Sequence, residues 1–247
     1  MSFSDHVVVV TGVSRGIGRA IALRFIAKGA IVAGIYVKDD AAADELTAEV
    51  GAAGGQMLLF KGSVADHAFV ANVMKKVFDT FGRIDALINN AGRTSDQMAL
   101  RMEEEQWNEV LDTNYVGACY CSQEAVRYMV LQNRGSIINL ASVSGIYGRE
   151  GQCNYAASKG ALMGLTKLYA RLYASHNIQV SAVAPGMIDT EMTGEVSQEK
   201  LNDFLRHTLT GRQGSVEEVA DAVVYLAGPA ASYHTGQTLK LDGGFLR

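Results

Sequence analysis

The sequence predicts an α/β fold: one doubly wound parallel sheet of about seven strands, with helices on both faces, over a single unit spanning 1–247. Two observations predict it. Seven short apolar runs recur along the chain without alternating polar and apolar residues, which suits strands buried on both faces. Between them lie stretches of helical periodicity that end near a glycine. Such strand and helix alternation points to right-handed βαβ units.

In order, "HVVVVTG" at 6–12 is the first strand, and "GRAIALRFIAKG" at 18–29 is a helix closed by glycine. The second and third strands are "AIVAGIYV" at 30–37 and "QMLLFKGSV" at 56–64. "HAFVANVMKKVFDTFG" at 67–82 is a second helix that stops at a glycine. "IDALINNAG" at 84–92, "GSIINLASV" at 135–143 and "IQVSAVAPG" at 178–186 supply strands four to six, and "GQTLKLDGG" at 236–244 the last. The two prolines, Pro185 and Pro229, fall just beyond apolar segments, and no linker, repeat or low-complexity stretch divides the chain.

Hydrophobic residues form 48% of the chain and charged residues 19%, a balance that supplies a large core. A net charge of −4 gives no electrostatic footprint for nucleic acid. Cys119, Cys121 and Cys153 are an odd count without metal-ligand spacing, so the expectation is a reduced interior with no metal and no disulfide framework. Cys153 lacks a local base and reads as a small apolar filler. No apolar run reaches ~18 residues and no signal pattern opens the chain, so a soluble, cytoplasmic protein is expected.

Gly12, Gly16 and Gly18 in "TGVSRGIG" stand between the first strand and the first helix. Glycines permit the tight turn and let a pyrophosphate approach the positive helix N-terminus. The spacing is G-x-x-x-G-x-G, and a plain strand-to-helix turn is the competing explanation; the place after a buried first strand favours a dinucleotide. An NAD site wants an acid at the end of the second strand, whereas a 2′-phosphate wants positive charge. "GIYVKDD" offers Tyr36, Val37 and Lys38 before any acid, and Arg15 adds a second cation, which favours NADP(H); a one-residue slip in the strand count would bring in Asp39.

In "YAASK" at 155–159, Tyr155 precedes Lys159 by four residues, so both share one helix face. A cation beside a phenol favours the phenolate and makes the neutral phenol a readier proton donor near pH ~7. A lone pair of this kind is more often an accident of an exposed face, so the other motifs decide.

Those motifs, "TGVSRGIG", "NNAG" at 89–92, Asn114 in "DTNYVG", Ser142 in "NLASVSG", Tyr155 with Lys159, and "PGMIDT" at 185–190, together resemble the short-chain dehydrogenase/reductase family over essentially the whole chain. The resemblance implies a Rossmann-like fold. It also implies catalytic roles: Tyr155 as general acid, Lys159 holding the nicotinamide ribose and depressing the tyrosine pKa, Ser142 hydrogen-bonding the substrate oxygen, and Asn114 placing a water that relays protons to Lys159. It further implies that Ser14, Arg15 and Ile17 join the three glycines at the phosphates. Asn90, Ala91 and Gly92 lie beside the adenine-side ribose, with Asn90 also bracing the sheet. Ser63 and Val64 lie near the adenine, Ser63 replacing a more usual Asp or Asn. Pro185, Gly186, Ile188 and Thr190 fall in the segment that clasps carboxamide and phosphates, although Thr190 equally reads as a helix cap.

"RMEEEQWNEVLDTN" at 101–114, "GQCNYAASKGALMGLTK" at 151–167, "VAPGMIDTEMT" at 183–193 and "GRQGSVEEVA" at 211–220 resemble the subgroup that reduces 3-oxoacyl groups on acyl carrier protein, and its CoA-thioester relatives. The expected reaction is reduction of a β-ketoacyl thioester to the 3-hydroxyacyl thioester. A free alcohol, sugar or steroid is the alternative substrate, and a non-catalytic or partner-dependent subunit the alternative role. In place of the subgroup's basic carrier-docking residues stand Asn133 or Arg134 and His176, with Arg127, Lys167 and Arg171 as substitutes or as a solvated face. Tyr169 and Tyr173 read as packing, Tyr147 as a lining of the substrate entrance, and an unusual β-keto substrate of a specialised pathway is permitted. "MTGEVSQEKLNDFLRHTL" at 192–209 reads as a mobile helical lid, and "LDGGFLR" at 241–247 resembles a tetramer-forming end, so a homotetramer or a mixed oligomer is expected.

Overall fold

A computed structural model describes residues 2–194 and 197–246. Glu195 and Val196 of the expected lid, and Arg247 of the expected tetramer-forming end, lie outside the described residues. All seven expected strands form: β1 (Val7–Thr11), β2 (Ile31–Tyr36), β3 (Gln56–Lys61), β4 (Ala86–Asn89), β5 (Gly135–Leu140), β6 (Ile178–Pro185) and β7 (Thr238–Leu241). They make one parallel sheet in the order β3-β2-β1-β4-β5-β6-β7. The order reverses direction between β1 and β4, the switch point where such sheets open a crevice at their carboxyl ends.

The unbroken valines of β1 show why the strands do not alternate. Val8 and Val10 pack into a core layer with α1 (Gly16–Ile26), α2 (Asp40–Ala52) and α10 (Val216–Ala227). Val7 and Val9 pack on the other face with α3 (His67–Phe81) and α5 (Gly117–Gln132). Both faces are therefore covered by helices. Gly82 closes α3 in the left-handed conformation at φ +71°, as its position predicts.

The helix α4 (Glu104–Leu111) runs into α5 through a five-residue π-turn, Asp112–Val116, which carries Asn114. After β5 come the short α6 (Ser144–Tyr147) and the long α7 (Cys153–Tyr173). The expected lid holds two short helices, α8 (Glu191–Gly194) and α9 (Gln198–Arg206). Tyr169 and Tyr173 pack ring against ring at 5.3 Å. No helix among the described residues is long and apolar enough to cross a membrane.

Candidate active site

The carboxyl ends of β1 and β4 are stitched together by two side chains. Thr11 Oγ1 accepts from the backbone N–H groups of Asn90 at 3.0 Å and Ala91 at 2.9 Å. Asn90 Nδ2 donates back to the carbonyls of Thr11 and Gly12 at 2.8 and 3.1 Å, the bracing expected of it. The three loop glycines then divide their duties. A Cβ on Gly12 would stand 2.9 Å from Ala91 Cα, and one on Gly18 would stand 2.0 Å from the Gly12 carbonyl oxygen. These two permit close packing of backbone on backbone.

Gly16, at φ +54°, faces open space, with Thr190 Cγ2 at 3.9 Å its nearest neighbour. Helix α1 begins there with no side-chain cap and no acid in its first turn. Ser14 and Ile17 flank this opening in sequence, and Ile17 also packs against the core. An open glycine face beside bare, positively polarised N–H groups fits a pyrophosphate.

At the ribose end, β2 stops at Tyr36, so the strand count holds. Asp39 adopts φ +71° and caps α2, accepting from Ala42 N–H at 3.0 Å. Asp40 is engaged by the Tyr36 hydroxyl at 3.0 Å and by Lys61. Lys38 is exposed, and Arg15 pairs with Glu191 of α8 at 3.1 Å. Ser63 Oγ accepts from Ala65 N–H at 3.2 Å. The Val64 side chain is buried against Gly117.

Helix α7 places Tyr155 and Lys159 one turn apart, with the Lys159 Nζ 5.6 Å from the centre of the Tyr155 ring. The lysine is only 4% exposed, and its Nζ donates to the Leu140 carbonyl at 2.6 Å. Burial lowers its pKa to about 8. The phenol departs from expectation: burial raises the Tyr155 pKa, Asp96 raises it further, and the Ser142 hydroxyl and Arg149 oppose the rise. Lys159 does not depress it here. The physical reason is that its ammonium is itself desolvated and turned to the Leu140 carbonyl.

Asn114 is 1% exposed and fully committed. Its Oδ1 accepts from Arg93 N–H at 2.8 Å, while its Nδ2 donates to the Arg93 carbonyl at 3.0 Å and to Ser158 Oγ at 3.0 Å. Ser158 in turn donates to the Tyr155 carbonyl at 2.7 Å. Asn114 thus ties the loop after β4 to the turn of α7 that bears the tyrosine. The π-turn directs it inward, a device associated with functional sites. Gly92 completes the junction: a Cβ there would lie 3.3 Å from Asn114 Oδ1 and 3.4 Å from Lys159 Nζ.

Ser142 follows β5, and its Oγ accepts from Ser144 N–H at 3.1 Å. Two neighbours were not singled out by the sequence, although both stand in the quoted "GQCNYAASK". Gln152 donates to both Asp96 carboxylate oxygens, at 3.2 and 2.9 Å, and accepts from Ser144 Oγ at 3.2 Å. Asn154 donates to the Ser95 and Gln106 carbonyls at 3.0 and 2.9 Å.

The segment after β6 is held from behind. The Pro185 carbonyl accepts from Val143 N–H at 3.1 Å, and Gly186 N–H donates to the Leu241 carbonyl at 2.9 Å. Ile188 buries its side chain in the core, and its carbonyl accepts from Thr193 Oγ1 at 2.6 Å. Thr190 takes up the cap position and also approaches the glycine loop. Its Oγ1 accepts from Thr193 N–H at 3.3 Å as a cap, and its methyl is the atom nearest the open face of Gly16.

Ser142 and Tyr155 line a cavity of about 940 Å³. Tyr147, Met187, Phe204 and Phe245 give it an apolar wall, with Phe204 and Phe245 stacked at 4.3 Å and 7°. Tyr147 thus shares one cavity with Ser142 and Tyr155. Among the basic side chains considered for carrier docking, Arg127 is paired with Glu124 at 3.1 Å and Arg134 lies 3.9 Å from Asp85, whereas Lys167 and Arg171 are exposed on α7.

The chain belongs to the short-chain dehydrogenase/reductase family and is an oxidoreductase. The family model described as enoyl-(acyl carrier protein) reductase matches residues 12–246. Among individual relatives, the chain is 41% identical over 247 residues to the 3-oxoacyl-[acyl-carrier-protein] reductase FabG of Thermotoga maritima, covering 100% of both chains. It is 43% identical over 246 residues to the 3-oxoacyl-[acyl-carrier-protein] reductase of Synechocystis sp., covering 99% of this chain and 98% of that one. The structure resembles that of a doubly substituted mutant of a Serratia marcescens short-chain dehydrogenase/reductase with a TM-score of 0.93, at 35% identity and 99% coverage of each chain.

Proposed function

We propose that this protein uses NADPH to reduce the ketone of a β-ketoacyl thioester, carried on acyl carrier protein or CoA, to the 3-hydroxyacyl thioester. One observation carries the reading: the phenol of Tyr155 and the hydroxyl of Ser142 line one cavity beside an open glycine cradle, in a chain whose full-length relatives are named 3-oxoacyl-[acyl-carrier-protein] reductases. The open face of Gly16 and the uncapped start of α1 hold the pyrophosphate. Lys38 and Arg15 favour the 2′-phosphate form, since Asp39 and Asp40 are already engaged.

The bound cofactor supplies the hydride. Tyr155 gives its proton to the ketone oxygen as negative charge develops there, a positioned acid being worth roughly 10²–10⁴ in rate. Ser142 donates a hydrogen bond to the same oxygen, stabilising the charge that appears only in the transition state. Lys159 holds the nicotinamide ribose, and Asn114 fixes the α7 turn against the loop after β4. An ordinary phenol is already protonated near neutrality, and burial moves Tyr155 further in that direction, so the donor carries its proton before substrate arrives.

For a carrier-bound substrate, Lys167 and Arg171 are the residues that meet an acidic carrier. The exposed leucines Leu131, Leu168 and Leu172 on α5 and α7 support assembly with further copies into a homotetramer.

The test is NADPH consumption with acetoacetyl thioester, comparing wild type with Tyr155→Phe. Turnover in wild type that falls by two to four orders of magnitude in the variant, about the weight of one positioned acid, supports both reaction and donor. Wild type that binds NADPH yet leaves the thioester unchanged sinks the reading.

A further inference from the structure

The cavity contains a second phenol–ammonium pair that the reaction above does not use. Tyr147 lies on α6, five residues after Ser142, and lines the same cavity as Ser142 and Tyr155. Lys240, in β7, donates from Nζ to the Tyr147 hydroxyl at 2.9 Å, with the Nζ 5.5 Å from the ring centre. Asp242, its side chain only 7% exposed, stands 3.7 Å from the same ammonium. The bond to Tyr147 and the charge of Asp242 hold Lys240 above its ordinary pKa, so the cation persists through the neutral range. The phenol ring is itself braced by Phe245, 5.7 Å away and tilted by 58°.

A phenol oxygen that accepts from an ammonium keeps its own proton to give. The charge behind it makes that proton a stronger donor. A β-ketoacyl thioester brings two acceptor oxygens into the cavity, the ketone that reacts and the thioester carbonyl two carbons away. Tyr155 and Ser142 take the first. We propose that Tyr147, charge-assisted by Lys240, donates a hydrogen bond to the second carbonyl and so selects 1,3-dicarbonyl substrates over isolated ketones. This rests on the β-keto thioester reading of the same cavity. Tyr147 is then a substrate-binding residue, and Lys240 a positioning residue that acts through it.

The experiment compares two ketones, acetoacetyl thioester and a methyl ketone of similar size lacking the second carbonyl. Tyr147→Phe keeps the ring and its packing on Phe245. It is expected to lower kcat/KM on the thioester about fivefold to tenfold, chiefly through KM, and to leave the simple ketone unchanged. Lys240→Met is expected to show the same selective loss, Lys240→Arg to retain activity, and the Tyr147→Phe/Lys240→Met double variant to be no worse than Tyr147→Phe alone. Equal losses on both ketones, additive losses, or an unaffected thioester overturn the proposal while the wild-type reaction stands. Wild type that reduces the simple ketone but no thioester removes the parent reading, and this inference with it.

Discussion

Helices α7 and α9 both contribute to the cavity, and they are built on opposite terms. Helix α7 buries Asn154, Ser158, Lys159 and Thr166 along its length, and each is held by hydrogen bonds to other parts of the chain or to its own backbone. Helix α9 has no fully buried residue; Leu201, Phe204 and Leu205 are half-buried, and Phe204 stacks on Phe245. A buried polar group is costly to disturb because its partner is left unsatisfied. An exposed helix resting on aromatic contact can change without that penalty. The buried polar groups of the site are therefore fixed on the rigid side, and part of the aromatic wall of the cavity stands on the adaptable one.

The comparison breaks most visibly at Asn114. Asn114→Leu keeps the branched shape but takes away the partner of Arg93 N–H in a part-buried place and removes the buried bond to Ser158. A loss of about 2–4 kcal/mol is expected, read as a fall of roughly 5–15 °C in Tm. A variant that melts within two or three degrees of wild type removes the claim that this amide ties the catalytic turn together.

Lys159→Met tests the same side by pH. The folded chain releases the lysine proton near pH 8, whereas the unfolded chain holds it to about 10.4. Between those values the unfolded state binds more protons, so the wild-type contribution to stability rises with pH. The buried charge costs on the order of 3 kcal/mol below pH 8. Lys159→Met is therefore expected to gain on wild type most below pH 8, with the gap closing toward pH 10. Denaturant unfolding at several pH values measures it, and a gap independent of pH contradicts the buried, desolvated ammonium.

The same division explains what was legible in the sequence. The strands were visible because burial on both faces leaves runs such as "VVVV" with no alternation. The Tyr155–Lys159 pair and Ser142 were visible because their chemistry demands particular residue types at particular spacings. The π-turn at Asn114 was not, since its extra backbone residue leaves no periodic mark in so short a stretch. Nor was the direction of the Tyr155 shift, which depends on burial and on Asp96 from a distant loop. The Phe204–Phe245 stack and the Tyr147–Lys240 bond join residues 41 and 93 positions apart, and no local pattern announces such contacts.

On the adaptable side, Phe204→Ala is expected to cost less in stability than Asn114→Leu and more in selectivity. Phe204 is only partly buried, so its loss costs about 1–2 kcal/mol. Removing one of the three aromatic rings of the wall is expected to raise KM severalfold for a longer acyl chain and to leave the acetoacetyl substrate nearly unchanged, each buried methylene being worth about 0.8 kcal/mol. A chain-length series on wild type and variant gives the answer. Uniform losses across the series place Phe204 with the rigid machinery instead.

The smallest expected effect concerns the ion pair between the glycine loop and helix α8. Arg15 and Glu191 form an ion pair whose side chains are 67% and 74% exposed, so the pair itself contributes about 0–1 kcal/mol. Its interest lies in what it occupies. Arg15 is one of the two cations proposed above to meet a 2′-phosphate, and while paired it is partly neutralised by Glu191. Glu191→Gln removes the competing charge without shortening the side chain. The KM for NADPH is then expected to fall by up to about fivefold, the limit set by the pair's own strength. NADH, which lacks the phosphate, is expected to respond little, and added salt to shrink the difference by screening these exposed charges. A fall of equal size for both cofactors assigns Glu191 to the packing of α8 rather than to Arg15, moving it from the cofactor side of the comparison to the adaptable one.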